Sequence, residues 1–225
     1  ADEVGLGKTI EACLVLKEYV VRGLVRRALI LVPPNLVSQW VEELSTKFGL
    51  EFASTADRRC RREPERFWKE EPRIVASIAT ARSARHAPLV QGAPWDLVVV
   101  DEAHHLKSRR NRGWRLVSDL PRRFVLLLTA TPVQNDLIEL HNLITLLSPG
   151  TLETESAFRK RYVDRKDPRK PRNPEELRAL LAGVMVRNTR GLSGVDLPPR
   201  FASTHVARPA ASEADLYSRA DAIAG

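Results

Sequence analysis

Apolar positions follow two alternating patterns over the first 150 residues. From Lys8 they recur at helical spacing, with Ala12, Leu16 and Tyr19 on one side and Val20 beside them, until Gly23 offers a stop. That periodicity predicts a helix. Residues 28–32 are continuously apolar and end at Pro33 and Pro34, which suits a buried parallel strand that two prolines terminate. A helix over 35–47 follows, then strands over 73–78, 97–100 and 124–128, with a helix over 113–120 before the last. Strands alternating with helices require crossover connections, so the pattern predicts an α/β fold with a mostly parallel sheet flanked by helices.

Asp136 with Glu139 three residues on resembles a capping box opening a helix that ends near Leu147, where Pro149 and Gly150 stop it. Beyond Gly150 the composition changes. Residues 159–172 hold eight Lys and Arg against Asp164 and Asp167, with prolines at 168 and 171, and read as an appended basic insertion. Asn173 as cap, Pro174 at the first helical position and Glu175 with Glu176 in the first turn predict a last helix through Ala182.

Composition narrows the class. The 225 residues are 43% apolar and 28% charged, as expected of a globular chain with a real core. No apolar run approaches the ~20 residues of a membrane span. Cys13 and Cys60 stand apart, without Cys-x-x-Cys or Cys-His spacing, so neither a disulfide scaffold nor a zinc site is indicated, and a reducing cytoplasmic setting is expected. The 36 Lys and Arg outnumber 28 Asp and Glu, giving +8 and pointing to polyanionic partners.

Two motifs carry chemistry. Gly5-Leu6-Gly7-Lys8-Thr9 opens the first helix, an arrangement in which backbone N–H groups and the helix N-terminus cradle phosphates. Lys8 then reaches the β- and γ-phosphates and the Thr9 hydroxyl serves Mg²⁺. Asp2 stands where the general phosphate-loop pattern has its first glycine. Set against this is a plain glycine turn before a surface helix. Second, the strand over 97–100 runs into Asp101-Glu102-Ala103-His104, placing two carboxylates at the strand end where open α/β sheets bind ligands. Asp101 is placed to hold Mg²⁺ and Glu102 to orient and deprotonate an attacking water. The bland alternative is that both acids cap the next turn. His104 and His105, being adjacent, are expected to point apart and not to form a metal site.

These blocks, in order, resemble the superfamily 2 helicase-like ATPases of the Swi/Snf class, in their bacterial HepA/RapA-like branch. Residues 1–10, with Asp2, Glu3, Gly5, Leu6, Gly7, Lys8 and Thr9, are similar to motif I. Residues 31–40 resemble motif Ia, 77–83 motif Ib, and the Asp-Glu-Ala-His block motif II. Thr129-Ala130-Thr131 with the following Pro132 to Asn135 resembles motif III, which in this class couples nucleotide state to DNA contact. Val186-Arg187-Asn188-Thr189-Arg190 resembles the segment closing the first lobe, though the family more often has a basic residue at Asn188. Leu197-Pro198-Pro199-Arg200 and Leu216-Tyr217 resemble the connector to a second lobe.

The resemblance implies a RecA-like phosphate-loop lobe over 1–150, a basic helical protrusion over 151–190 and a connector over 191–225. It implies ATP and Mg²⁺ as cofactors, Glu102 and Lys8 as catalytic residues, and Thr129, Ala130, Thr131 and His104 as coupling residues. Duplex DNA gripped by its backbone is the implied partner, through Asn35, Gln39, Ser77 and Thr80, and a second RecA-like lobe is another. RNA polymerase and defence-system proteins are further candidates, with action at the bacterial nucleoid. A truncated, non-catalytic DNA- or partner-binding module is the competing reading. The family also has a strand before the phosphate loop and arginine fingers in its second lobe. The 225 residues contain neither, so they are expected to be a piece of a longer protein and, alone, nearly inactive. Trp40, on the apolar side of its helix with Leu36 and Leu44, is expected in the core and not as a stacking platform. The basic stretches 58–62, 107–115 and 159–172 lie along the duplex or are solvated surface.

Overall fold

The computed structural model describes residues 1–2, 6–164, 166–188 and 213. Its centre is a parallel sheet of five strands in the order β2-β3-β1-β4-β5: β1 (Ala28–Val32), β2 (Ala53–Ser54), β3 (Arg73–Ser77), β4 (Trp95–Val100) and β5 (Arg122–Leu127). The most apolar strands are central, since every residue of β1 is buried and every residue of β4 except Asp96. The Asp96 side chain fixes the entry to β1, its Oδ2 accepting the backbone N–H groups of Arg26 and Arg27 at 2.7 and 2.8 Å.

Successive strand residues face opposite sides of the sheet, so each strand feeds two cores. On one face α1 (Lys8–Val21) and α2 (Val37–Phe48) bury Ala12, Leu16, Trp40 and Leu44 against Ile30 and Val99. On the other, α4 (Pro64–Glu70), α6 (Ala87–Gln91) and α7 (Arg112–Asp119) bury Trp68, Val90 and Leu116 against Leu31 and Val98. Two shorter helices, α3 (Arg58–Arg62) and α5 (Ile78–Ala81), complete the connections. A third cluster forms where α9 (Glu155–Tyr162) and α10 (Pro174–Leu181) pack Phe158 and Leu177 on Ile138 and Ile144 of α8 (Leu137–Leu147). The basic segment after residue 150 is thus seated on α8. One compact unit covers Ala1–Ser193; of a second, Gly194–Gly225, only Glu213 is described.

Register decides where chemistry can occur. Leu31 pairs with Val100, and Val100 with Leu127, so β1, β4 and β5 end level and the residues after them share one rim. The strands are hydrogen-bonded without a gap; β1 holds the middle, between β3 and β4. Beside α1, the open position among the described residues is the outer edge of β5, where Val15, Val125, Leu127, Leu140 and Ile144 line an apolar cavity of about 380 Å³.

Several boundaries differ from the sequence pattern for local reasons. Residues Pro34–Leu36 form a 3-10 turn, and α2 proper starts at Val37. β3 stops at Ser77 because the Ser77 hydroxyl accepts the N–H of Thr80 and caps α5. β5 begins at Arg122, whose guanidinium is drawn inward to the carbonyls of Val117, Leu120 and Leu146 at the ends of α7 and α8. The capping box is rearranged: Asp136 Oδ1 accepts the Ile138 N–H, but Glu139 reaches the N–H groups of Gln134 and Asn135 and not that of Asp136. Asn173 precedes α10, yet its side chain donates to Arg161 O and caps nothing.

Phe158 is 1% exposed, so Phe158→Ala should cost about 3–5 kcal/mol in denaturant unfolding. A loss under about 1 kcal/mol would contradict the described packing. Burial opposes ionisation of Asp96, but the bonds from Arg27 and Arg26 outweigh it and hold its carboxyl below the usual value. Its contribution is complete above the unfolded value of about 3.9 and is lost as pH falls through the lowered folded value. Asp96→Asn should therefore be less stable than the parent at pH 7, the gap narrowing below about pH 4; a gap constant down to about pH 2 would refute this.

Candidate functional site

The site is built from the level ends of β1, β4 and β5. Asp101 N–H donates to Leu31 O at 2.8 Å, and Ala103 N–H to Leu128 O at 2.8 Å, so the acidic turn is tied to both neighbouring strands. Glu102 has φ 48 and ψ 47; it is the non-glycine residue at positive φ among the described residues. A left-handed conformation in a non-glycine residue costs about 1–2 kcal/mol and is kept only where the surroundings enforce it. Here those two strand-end bonds enforce it. Glu102 occupies the N-cap position of the 3-10 turn Ala103–Leu106, but neither acid's side chain caps it.

Both oxygens of Asp101 are engaged. Oδ1 accepts the Glu102 N–H at 2.8 Å, and Oδ2 accepts the indole Nε1–H of Trp40 at 2.9 Å. Trp40 is 2% exposed and packs in the α1–α2 core as its periodicity predicts. Its bond to Asp101 is not legible in the sequence, because apolar spacing says nothing of where an indole N–H points.

The phosphate loop is described from Leu6 onward, together with Ala1 and Asp2; Glu3 and Gly5 lie outside the described residues. Gly7 is the N-cap of α1 at φ 85, with no side-chain cap. Glycine is needed for that conformation and not for room, since a Cβ there would meet nothing within 4 Å. An N-terminus without a side-chain cap offers the positive end of the helix dipole to an anion. Lys8 Nζ donates to Asp2 O at 2.9 Å.

Asp2 is 2% exposed, and its Oδ1 accepts the Asn188 N–H at 2.7 Å. Burial opposes its ionisation, but that bond and a hydrogen bond shared with Glu11 hold it below the usual carboxylate range; burial and Asp2 push Glu11 up. The position where Asn188 departs from the family pattern thus anchors the phosphate loop, through its main-chain N–H and through a side-chain hydrogen bond to the same carboxylate.

The motif III block continues from β5. Thr129 is 4% exposed, its Oγ1 accepts the Thr131 N–H at 3.2 Å, and Thr131 Oγ1 accepts Gln134 Nε2–H at 3.2 Å. Lys107 Nζ bridges to Gln134 Oε1 at 3.2 Å and Glu139 Oε1 at 3.5 Å, linking the segment after the acids to the turn after Thr131. Nothing in the sequence pattern marks Lys107, Gln134 and Glu139 for this role except the acidic residue three after Asp136. Ala130 lies in the same turn. Thr129 and Leu128 line the apolar cavity with Asp2, Glu11 and Ala12, which sets the phosphate loop and motif III at the same end of the sheet.

His104 Nδ1 lies 3.1 Å from Glu102 Oε2, near enough for ion pairing but outside hydrogen-bond geometry. Burial first, then the neighbouring His105, lowers the His104 pKa, so the ring is neutral at physiological pH and pairs weakly. The two imidazoles do not point apart as expected; their centroids are 4.2 Å from each other. Among the described residues no group of three or more His, Cys, Asp and Glu could hold a metal. One carboxylate, Asp101, and one hydroxyl, Thr9, are hard oxygen donors suited to Mg²⁺, which takes its remaining ligands from water and phosphate.

Of the remaining expected contacts, Asn35 is exposed in the 3-10 turn before α2 and Gln39 in the first turn of α2, Gln39 donating to Glu43 at 3.0 Å. Ser77 is buried and its hydroxyl caps α5, while Thr80 is half-buried. Members of each basic stretch are paired internally: Arg59 with Asp57 and Glu71, Lys107 with Glu139, Arg159 with Asp136, and Arg161 with Glu153 and Glu176. The segments 189–190, 197–200 and 216–217 lie outside the described residues.

The SNF2-related domain matches residues 1–224. The chain is 41% identical over 217 residues to the uncharacterized ATP-dependent helicase YqhH of Bacillus subtilis, covering 96% of this chain and 37% of that protein. It is 35% identical to the RNA polymerase-associated protein RapA of Vibrio atlanticus, covering 89% of this chain and 22% of RapA. The chain thus spans well under half of the curated relatives it matches. The Sulfolobus solfataricus SWI2/SNF2 ATPase core in complex with dsDNA superposes with a TM-score of 0.69 at 25% identity, over 87% of this chain and 40% of that one. A second structure of that core domain gives 0.66 at 26% identity, over 84% and 38%. The RecA-like α/β lobe and its ordered motifs therefore make this chain a member of the SNF2-related domain family.

Proposed function

We propose that this lobe binds ATP with Mg²⁺ and, in the complete protein, hydrolyses it to drive movement along duplex DNA. One observation carries the reading: the N-terminus of α1 without a side-chain cap, the strained Asp101-Glu102 turn and the Thr129 turn belong to one end of a parallel sheet. In this reading the N–H groups after Gly7 and the Lys8 ammonium hold the β- and γ-phosphates. Releasing Lys8 from the Asp2 carbonyl is part of binding. Thr9 and Asp101 hold the metal, which when bound neutralises charge developing on the phosphate oxygens.

Glu102 orients the water and takes its proton as the water oxygen attacks the γ-phosphorus. The bond to the β-phosphate oxygen breaks, and ADP leaves with the electron pair. His104, neutral, stands beside Glu102, its Nδ1 3.1 Å from Oε2. The turn over 129–135, joined through Gln134 and Glu139 to Lys107, passes the state of the site outward.

Duplex DNA as the track is supported by the dsDNA named with the superposed ATPase core and by the exposed Asn35 and Gln39. Backbone gripping needs no base reading and is salt-sensitive. The Ser77 hydroxyl, committed to α5, has the smallest part in it. A second RecA-like lobe completes the motor, RNA polymerase is a further candidate partner through the RapA relatives, and the place of action is the cytoplasm, at the nucleoid.

In the complete protein Glu102→Gln should retain ATP binding and lose DNA-stimulated turnover by about 10²–10⁴-fold, whereas Lys8→Ala should lose binding itself. Equilibrium binding of a labelled ATP analogue and a steady-state phosphate-release assay separate the two. Full turnover in Glu102→Gln would remove Glu102 from its role.

A further inference from the structure

We infer that Trp40 is a positioning residue for the metal-binding carboxylate: its indole N–H fixes Asp101 in the orientation that receives Mg²⁺. The inference rests on the nucleotide reading above and deepens it. All four tryptophans are described, and each buried or half-buried indole N–H has a partner. Trp68 donates to His86 Nδ1, Trp95 to Val90 O and Trp114 to Asn142 O, all neutral acceptors within or beside their own packing clusters. Trp40 donates across the fold, from α2 to the end of β4, into the carboxylate that the Asp-Glu turn offers to solvent.

The geometry restrains Asp101 at both of its oxygens. Oδ1 is held by the N–H of Glu102, and Oδ2 by Trp40 at 2.9 Å. A carboxylate oxygen has two lone pairs, so each oxygen retains one for a metal ion or a metal-bound water. Trp40 cannot move to follow Asp101: it is 2% exposed, packed with Leu44 and Val37, and clamped against the sheet. A rigid aromatic holding a carboxylate through a charge-assisted bond is the kind of support whose removal costs about 10–100-fold in metal affinity. The same bond would satisfy a merely structural need of the indole N–H, so the test must read the metal and not the fold.

The experiment uses the complete protein and a non-hydrolysable ATP analogue, with binding measured by calorimetry in Mg²⁺ and in EDTA. Trp40→Phe keeps an aromatic ring in the core and removes the N–H. Expected is an affinity for the analogue unchanged in EDTA, and a Mg²⁺ requirement shifted up by about 10-fold or more. An unshifted Mg²⁺ requirement in a folded Trp40→Phe protein overturns the inference. If that variant does not fold, the parent labelled with 5-fluorotryptophan supplies the answer by fluorine NMR. Adding Mg²⁺ to the analogue complex should move the Trp40 resonance and leave those of Trp68 and Trp95 in place; a Trp40 resonance insensitive to Mg²⁺ counts against the inference. Failure of the parent itself to bind the analogue in Mg²⁺ would instead refute the nucleotide reading on which this rests.

Discussion

The lateral register of three parallel strands governs everything chemical in this chain. Because Leu31, Val100 and Leu127 lie side by side, the turn after β4 is caught between the ends of β1 and β5 and receives a hydrogen bond partner from each. A slip of one residue would turn Asp101 to the opposite face of the sheet and break both bonds. The strain at Glu102 follows from the same constraint, since the chain must reverse while Asp101 and Ala103 remain attached to neighbouring strands. Strain of this kind persists only where the fold over-determines it, and here it sets the carboxylate that the proposed reaction needs.

Around that rim the structure uses polar groups sparingly and ties them in pairs. Asp2 is held by Asn188, Asp101 by Trp40, and the turn after Thr131 by Glu139 and Lys107. Each tie links a loop to another element of the fold. Displacing a single loop therefore disturbs a partner elsewhere, as the proposed coupling of nucleotide state requires. α8 is the hub for the outer part: it carries Glu139 toward the site and an apolar face toward α9 and α10.

The strands and long helices are legible in the sequence because apolar periodicity over five or more residues leaves few alternatives. β1 is legible to the residue, and β4 and β5 through their apolar runs. What escapes is either short or bonded through polar atoms. β2, of two residues, and the short helices α3, α5 and α6 offer too few turns for a period to show. Asn173 has every mark of a side-chain cap yet bonds Arg161 O, because tertiary partners compete with local ones. The adjacent histidines would diverge as strand neighbours do, but they fall in a 3-10 turn and their ring centroids lie 4.2 Å apart. Of the site, Lys8, Thr9, Asp101 and Glu102 are evident from their motifs; the support given by Trp40 and Asn188 is not, since an indole or a main-chain N–H has no pattern in sequence.

The most direct test is a crystal structure of the complete protein with Mg²⁺ and a non-hydrolysable ATP analogue. The account predicts the β- and γ-phosphates at the N–H groups following Gly7. It also predicts a Mg²⁺ ion about 2.0–2.1 Å from the oxygens that coordinate it, the Thr9 hydroxyl among them, with Asp101 bound to it directly or through one water. A nucleotide seated elsewhere on the lobe, or a metal ion with no link to Asp101, would contradict it.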